Sequence, residues 1–184
     1  MADEKNESLG DGTRSPVRNL KSPSVWLATG LGLGLVTVSP GTMGTAIWGL
    51  PLAWGISLVP GVGWQALVIA GLFAIGVPVC TAAGRAMGGS KDNQAIIWDE
   101  IVTMPVVFLF VPLANWKVAL AGFLLHRAFD ITKPPPCAQL EILPDGLGVM
   151  SDDLMAAIYA GSALFGLNWA CDYFGWGLLT VVAS

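Results

Sequence analysis

Three short clusters of charged side chains could carry chemistry in this sequence, and all three are built on carboxylates. Asp99 and Glu100 follow Trp98 directly, Asp130 stands three residues from both Arg127 and Lys133, and Asp152 and Asp153 are adjacent. Each cluster has a local explanation. Acidic groups at a helix start are favoured by the helix dipole, and the spacing of Arg127, Asp130 and Lys133 lets all three pair along one helical face. Jointly the local explanations weaken, because five carboxylates at the edges of apolar segments are costly near lipid unless something compensates them. The residue types nominate a hard divalent cation. Magnesium takes oxygen ligands, keeps several waters and needs only a few carboxylates beside substrate phosphate oxygens. A zinc-type donor set is lacking: His126 is the only histidine, and Cys80, Cys137 and Cys171 are scattered. His126 stands as an acid–base or phosphate-contact candidate beside the commoner role of a packing residue.

The anion side of such a site has its own candidates. Ser39-Pro40-Gly41-Thr42-Met43-Gly44-Thr45 offers glycines, hydroxyls and a helix start immediately after, which is the local recipe for holding an anion on backbone N–H groups. A Pro-Gly break of this kind can also be purely structural. Beside Arg127 and Lys133, however, the loop residues Thr42, Gly44 and Thr45 complete what phosphoryl hydrolysis needs: a phosphate cradle, two cations, and carboxylates for a metal that polarises the phosphoryl group and acidifies water. Cys80 and Arg85 do not form a cysteine-phosphatase loop, since only four residues separate them in a hydrophobic run.

These groups must be positioned by a chain of 184 residues that is 54% hydrophobic and only 12% charged, with a mean hydropathy of +0.65. Soluble domains carry about 25% charged residues. A net charge of −4 and a pI near 4.7 argue against a nucleic-acid partner, whose binding face would be basic. No Asp, Glu, Lys or Arg occurs between Lys21 and Arg85, a stretch about three times what one bilayer crossing needs. The expected organisation is all-α: a disordered cytoplasmic tail over residues 1–22, then one multi-spanning helical membrane domain over 23–184 with short or re-entrant helices around a polar site. Val25 to Val38 is too short to span and reads as interfacial or re-entrant. A helix is expected after Gly44 to about Val59, another over Trp64 to Ala83, a hairpin of Ile101 to Leu113 and Val118 to Asp130, and a last helix from Leu154 to about Ala170. Lys133 to Asp153, with three consecutive prolines and Asp145-Gly146-Leu147-Gly148, cannot be one regular helix, and Asp152 and Asp153 are expected at the start of the helix that follows. Arg14, Arg18 and Lys21 place the N-terminus inside, and this topology brings every polar loop to the cytoplasmic face. A phosphate ester at that face points to a phospholipid.

At these residues the sequence resembles the phosphatidylglycerophosphatase A family. Four blocks carry the resemblance in order: Pro40-Gly41-Thr42-Met43-Gly44-Thr45; Trp98-Asp99-Glu100; Arg127-x-x-Asp130-x-x-Lys133-Pro134-x-Pro136; and Gly146-x-Gly148-x-x-x-Asp152-Asp153. It implies a magnesium-dependent enzyme of the bacterial inner membrane that converts phosphatidylglycerophosphate to phosphatidylglycerol and phosphate. It also implies metal ligation among Asp99, Glu100, Asp130, Asp152 and Asp153. Octahedral magnesium cannot use all five, so Asp99, Asp130 and Asp153 rank as ligands, Glu100 as ligand or general base, and Asp152 as support. Arg127, Lys133 and the Thr42 to Thr45 loop would hold phosphate, and direct attack by metal-activated water is the expected mechanism. The chain departs from the family pattern in its extended N-terminal tail, at Pro144-Asp145 and in its aromatic C-terminus.

Two other classes compete. A CDP-alcohol phosphatidyltransferase also places aspartates and metal at a cytoplasmic face, but after Asp145-Gly146 the expected Ala-Arg pair and later aspartates do not follow. An ion transporter would bury carboxylates within its spans, whereas these are expected at segment ends.

Overall fold

A computed structural model of the chain describes residues 20–89 and 93–176. The expected tail lies outside the described residues as far as residue 19. Among the described residues the architecture is all-helical, without strands.

The chain opens with two short helices, α1 (Pro23–Ala28) and α2 (Leu33–Val36), broken at Gly30 to Gly32 where three successive residues take positive φ. The Val25 to Val38 run is therefore two fragments, neither able to span. From Pro40 the chain is helical to Ser57: α3 (Pro40–Gly44), a π-helical turn over Thr45–Gly49, and α4 (Leu50–Ser57). Then follow α5 (Val62–Ala86), α6 (Trp98–Val107), α7 (Trp116–Thr132), α8 (Cys137–Leu140) and α9 (Asp145–Tyr173). Asn115 starts α7 by accepting hydrogen bonds from the backbone N–H groups of Lys117 and Val118 at 2.9 and 3.1 Å, which satisfies two of the donors a helix start leaves open.

α9 is the hub, packing on α5, α6, α7 and α8, while α6 is walled in by α4, α5 and α9. Seven of the ten residues of α6 are buried, so it acts as a core helix. One apolar cluster joins Met104, Val107 and Phe108 to Val118, Ala157, Ala160 and Leu164; a second joins Val25, Ala28, Cys80, Ala83, Val102 and Met150.

One expectation is corrected here. The Gly146-x-Gly148 block is helical, and the last helix begins at Asp145 rather than Leu154. Asp152 and Asp153 consequently lie two turns inside α9, not at its start. The glycines act as contact surfaces: a Cβ at Gly146 would collide with the carbonyl oxygen of Val77 in α5, and the Gly146 N–H donates to Thr81 Oγ1 at 3.0 Å. The cost of glycine in a helix, about 1 kcal/mol, is offset by that approach.

α5 and α9 are long and apolar enough to cross a membrane, and most of each apolar window is not buried against protein. Because Gly44 meets Ile97, Gly49 meets Met104 and Gly161 meets Val107, the runs 40–57, 98–107 and 145–173 leave the acidic end in the same direction, and α5 and α7 return to it. This order gathers the exposed aromatics Trp54, Trp64, Phe110, Trp116, Trp169 and Tyr173 at the other end.

Candidate active site

Four stretches of chain deliver side chains to one cavity of about 430 Å³: the start of α3 with the residues before it, the first turn of α6 with the segment before it, the last turns of α7 with the segment after it, and the second and third turns of α9. All five predicted carboxylates line it, together with Arg127 and Lys133. Convergence of three clusters at least 19 positions apart in the sequence removes the purely local readings as a full account.

The cavity has a centre and two flanks. At the centre stand Asp99 and Asp153, 7% and 4% exposed, each with a carboxylate oxygen that has no hydrogen-bond partner among the described residues. Such groups are expensive to bury. Burial, then the adjacent Glu100 charge, pushes the Asp99 carboxyl well above its ordinary range.

On one flank Arg127 bridges Asp130 (2.7 Å) and Glu100 (3.0 Å) through Nη1. The second oxygen of Glu100 accepts from Thr45 Oγ1 at 2.9 Å, while that hydroxyl also contacts the Gly41 carbonyl at 2.8 Å. Burial raises the Glu100 carboxyl, against the opposing pull of the Arg127 charge. Arg127 Nε is buried with no partner among the described residues, so the guanidinium has not used up its donors.

On the other flank Lys133 donates to Asp152 (2.8 Å) and Glu141 (3.1 Å). Lys133 closes α7 in the left-handed region at φ +41°, a conformation that costs an L-residue about 1–2 kcal/mol, and its ammonium is tied across to α8 and α9. Burial alone would lower the Lys133 ammonium, yet the bonds to Asp152 and Glu141 hold it above its ordinary value. Asp152 is 6% exposed and keeps one oxygen unpartnered.

The proposed anion loop is divided. Ser39, Pro40 and Gly41 line the cavity, but Gly44 and Thr45 lie behind it: Gly44 packs on Ile97 and Thr45 is fully buried against Glu100. The Thr42 hydroxyl is engaged with Ser39 Oγ at 2.9 Å. The reason is the helical run from Pro40, which turns the loop's later residues toward α6. His126 is fully buried, lines no part of the cavity, and neither ring nitrogen finds a partner among the described residues. Arg85 pairs with Asp145 at 2.9 Å instead of joining the site.

Sequence reasoning missed Glu141 and Gly41. Glu141 reaches Lys133 only because the chain doubles back through three prolines, a break across which no helical spacing applies. Gly41 looks like a turn residue, whereas a Cβ there would occupy the space of the Glu100 carboxylate.

The donor set suits a hard cation. It is all oxygen, and three of its carboxylates have an unpartnered oxygen. Among the described residues no three His, Cys, Asp or Glu side chains are drawn together around one point.

The profile of the family Phosphatidylglycerophosphatase A matches residues 26–168, which take in the whole cavity. The chain belongs to the phosphatidylglycerophosphatase A family. Two relatives carry that name: one from Haemophilus influenzae, 37% identical over 82% of this chain and 92% of its own length, and one from Escherichia coli K12, 32% identical over 82% and 88%. A Bacteroides thetaiotaomicron protein described as a candidate phosphatidylinositol-3-phosphatase is 30% identical over 82% of this chain and 98% of its own. No solved structure matches the chain. Neither the transferase nor the transporter reading finds support in these relatives.

Proposed function

We propose that the protein is a magnesium-dependent phosphatase that hydrolyses phosphatidylglycerophosphate to phosphatidylglycerol and phosphate, as a multi-pass protein of the bacterial inner membrane with its site at the cytoplasmic face. The observation that carries this is the pairing, in one cavity, of buried unpartnered carboxylates at Asp99 and Asp153 with an Arg127 that still has a free donor. The two spanning-length helices and the aromatic belt remote from the cavity support the bilayer setting.

Asp99 and Asp153 would hold the metal, with Asp130 beside them and Asp152 in support. Bound there, magnesium supplies Lewis-acid polarisation of the phosphoryl group and acidification of water. The chain's own residues do the rest. Arg127, fixed between Glu100 and Asp130, offers its remaining N–H groups to the phosphoryl oxygens, where a preorganised donor favours the charge that develops in the transition state. Lys133 holds Asp152 in place and presents its third N–H to phosphate. Glu100 has both oxygens engaged, so it orients Arg127 and is poorly placed to accept a proton.

Thr45→Val should keep the fold and lower kcat about 10–100-fold, the usual effect of removing a group that orients a ligand or catalytic side chain, with recovery in Thr45→Ser. Steady-state phosphate release by the two variants checks this.

The deciding assay is phosphate release by detergent-purified protein from phosphatidylglycerophosphate, with and without magnesium, beside phosphatidic acid, phosphatidylinositol 3-phosphate and a CDP-alcohol transfer assay. Magnesium-dependent release confined to phosphatidylglycerophosphate is expected. Preference for the inositol lipid would move the substrate toward the one named for the Bacteroides relative. An isolable aspartyl-phosphate would overturn direct attack by water.

A further inference from the structure

The cavity is lined by two kinds of group. Its charged wall comes from α6, α7 and α9, and it faces the phosphoryl group. The stretches that lead into α3 and α6 contribute uncharged polar groups instead: the hydroxyl of Ser39 and the amides of Asn93 and Gln94. Cleavage of the phosphoryl group gives these no task. An amide is suited to a different partner, since it can meet a hydroxyl with either a donor or an acceptor.

Asn93 is held firmly for such a role. Its side-chain oxygen accepts from the Ala95 N–H at 3.1 Å, and its backbone carbonyl accepts from the Ile96 N–H at 2.8 Å, so the residue forms a turn through its own side chain. The stretch is also clamped from outside. A Cβ on Gly34 of α2 would collide with the Ala95 carbonyl oxygen, and the Ile97 N–H donates to the Ala28 carbonyl at 2.8 Å. With its oxygen committed to the turn, the amide NH2 is the group Asn93 can offer to the cavity. A donor fixed in advance gives up little freedom when a ligand arrives.

The order of the lining indicates which part of a ligand reaches it. Beside the charged wall stands the edge carrying Ser39 and Asn93, and this edge borders an apolar one: Val38 lines the cavity and is fully exposed, with Leu35 and Val36 of α2 exposed before it in the chain. Phosphatidylglycerophosphate presents the same succession. Its phosphomonoester is followed by a glycerol with one free hydroxyl, and then by the phosphodiester and the acyl chains. We propose that Asn93 determines headgroup specificity, its amide N–H donating to the free hydroxyl of the glycerol between the two phosphates. The proposal rests on the phosphatase reading. In phosphatidic acid the phosphomonoester is attached directly to diacylglycerol, so that hydroxyl is missing.

The test removes the same hydrogen bond from both sides. Phosphate release by the detergent-purified full chain with magnesium is measured on phosphatidylglycerophosphate and on phosphatidylpropanediol phosphate, the analogue with hydrogen in place of that hydroxyl and the same charge. The wild type should favour the hydroxyl-bearing lipid about three- to tenfold in kcat/KM, the net worth of one hydrogen bond. Asn93→Leu is similar in size and has no donor, while Asn93→Ser keeps an oxygen for the Ala95 N–H and is too short to extend past it. Both should bring the ratio to about one. A residue that only held the turn would behave differently: Asn93→Leu would slow both lipids alike, Asn93→Ser would recover them, and the ratio would stay at the wild-type value. An unchanged ratio in the two variants overturns the proposal, as does a wild-type protein that releases phosphate equally from both lipids. Absence of release from either lipid by folded wild-type protein sinks the phosphatase reading instead, and the proposal with it.

Discussion

Asp153→Asn should lower phosphate release from phosphatidylglycerophosphate by about a hundred- to a thousandfold, the range typical of deleting one preorganised electrostatic contact, while the protein melts no lower than the wild type. The two halves of this expectation have one cause. Asp153 is 4% exposed, feels the Asp99 charge, and among the described residues has an unpartnered oxygen and no ion pair. Its negative charge therefore contributes nothing to holding the helices together. Asparagine fills the same volume without the charge, so a thermal melt in the absence of divalent cations should be unchanged or shifted upward. A variant that loses both activity and stability would show instead that Asp153 has a structural role.

Gly146→Ala should be a damaging single-methyl change, destabilising by about 1–3 kcal/mol as overpacking does, which for a chain of this size means a fall of roughly 2–12 °C in Tm. The added methyl would lie within the Val77 carbonyl oxygen and crowd Thr81, and both obstacles are backbone or locally bonded groups of α5 that cannot swing aside. Gly166 on the same helix is the control, because a Cβ there meets nothing within 4 Å. Gly166→Ala should be neutral or stabilising by up to about 1 kcal/mol. Equal effects at the two positions in a thermal melt would show that α9 does not depend on its close seat against α5. Because Gly146 lies about two turns before Asp153, the damaged variant should also release phosphate more slowly.

The acidic half of the site was legible in the sequence because type and adjacency suffice there: Asp99, Glu100, Asp130, Asp152 and Asp153 all reach one cavity. The glycines were harder. In Gly146-x-Gly148 low helix propensity suggested a break, yet the residue is there so that two helices can touch, and contact across helices has no local signature. The same limit applies to Gly44 and Thr45. As a string they resemble an anion cradle, but their orientation is set by α6, with Ile97 against Gly44 and Glu100 against the Thr45 hydroxyl. Glu141 was hidden by the proline-rich reversal that carries it back to Lys133. The helices were placed well where apolar runs were long, as in α5 and α7, and poorly where a short helix such as α6 ends inside an apolar run, at Val107.

The π-helical turn at Thr45–Gly49 decides where this stretch tolerates a change in residue count. A π turn is an α-helix carrying one surplus residue, and such turns are often found at functional sites. Because the wide turn takes up its surplus residue within about one revolution, the segments on either side keep the phase of an uninterrupted helix, whereas one residue added in α4 would rotate everything upstream by about 100° relative to the rest of α4. Gly41 would leave the Glu100 carboxylate and the Thr45 hydroxyl would swing off it, with every side chain of the site still present. The segment works as a phase buffer: a residue gained or lost inside the wide turn is taken up there, whereas the same change outside it misaligns this wall of the cavity against the rest.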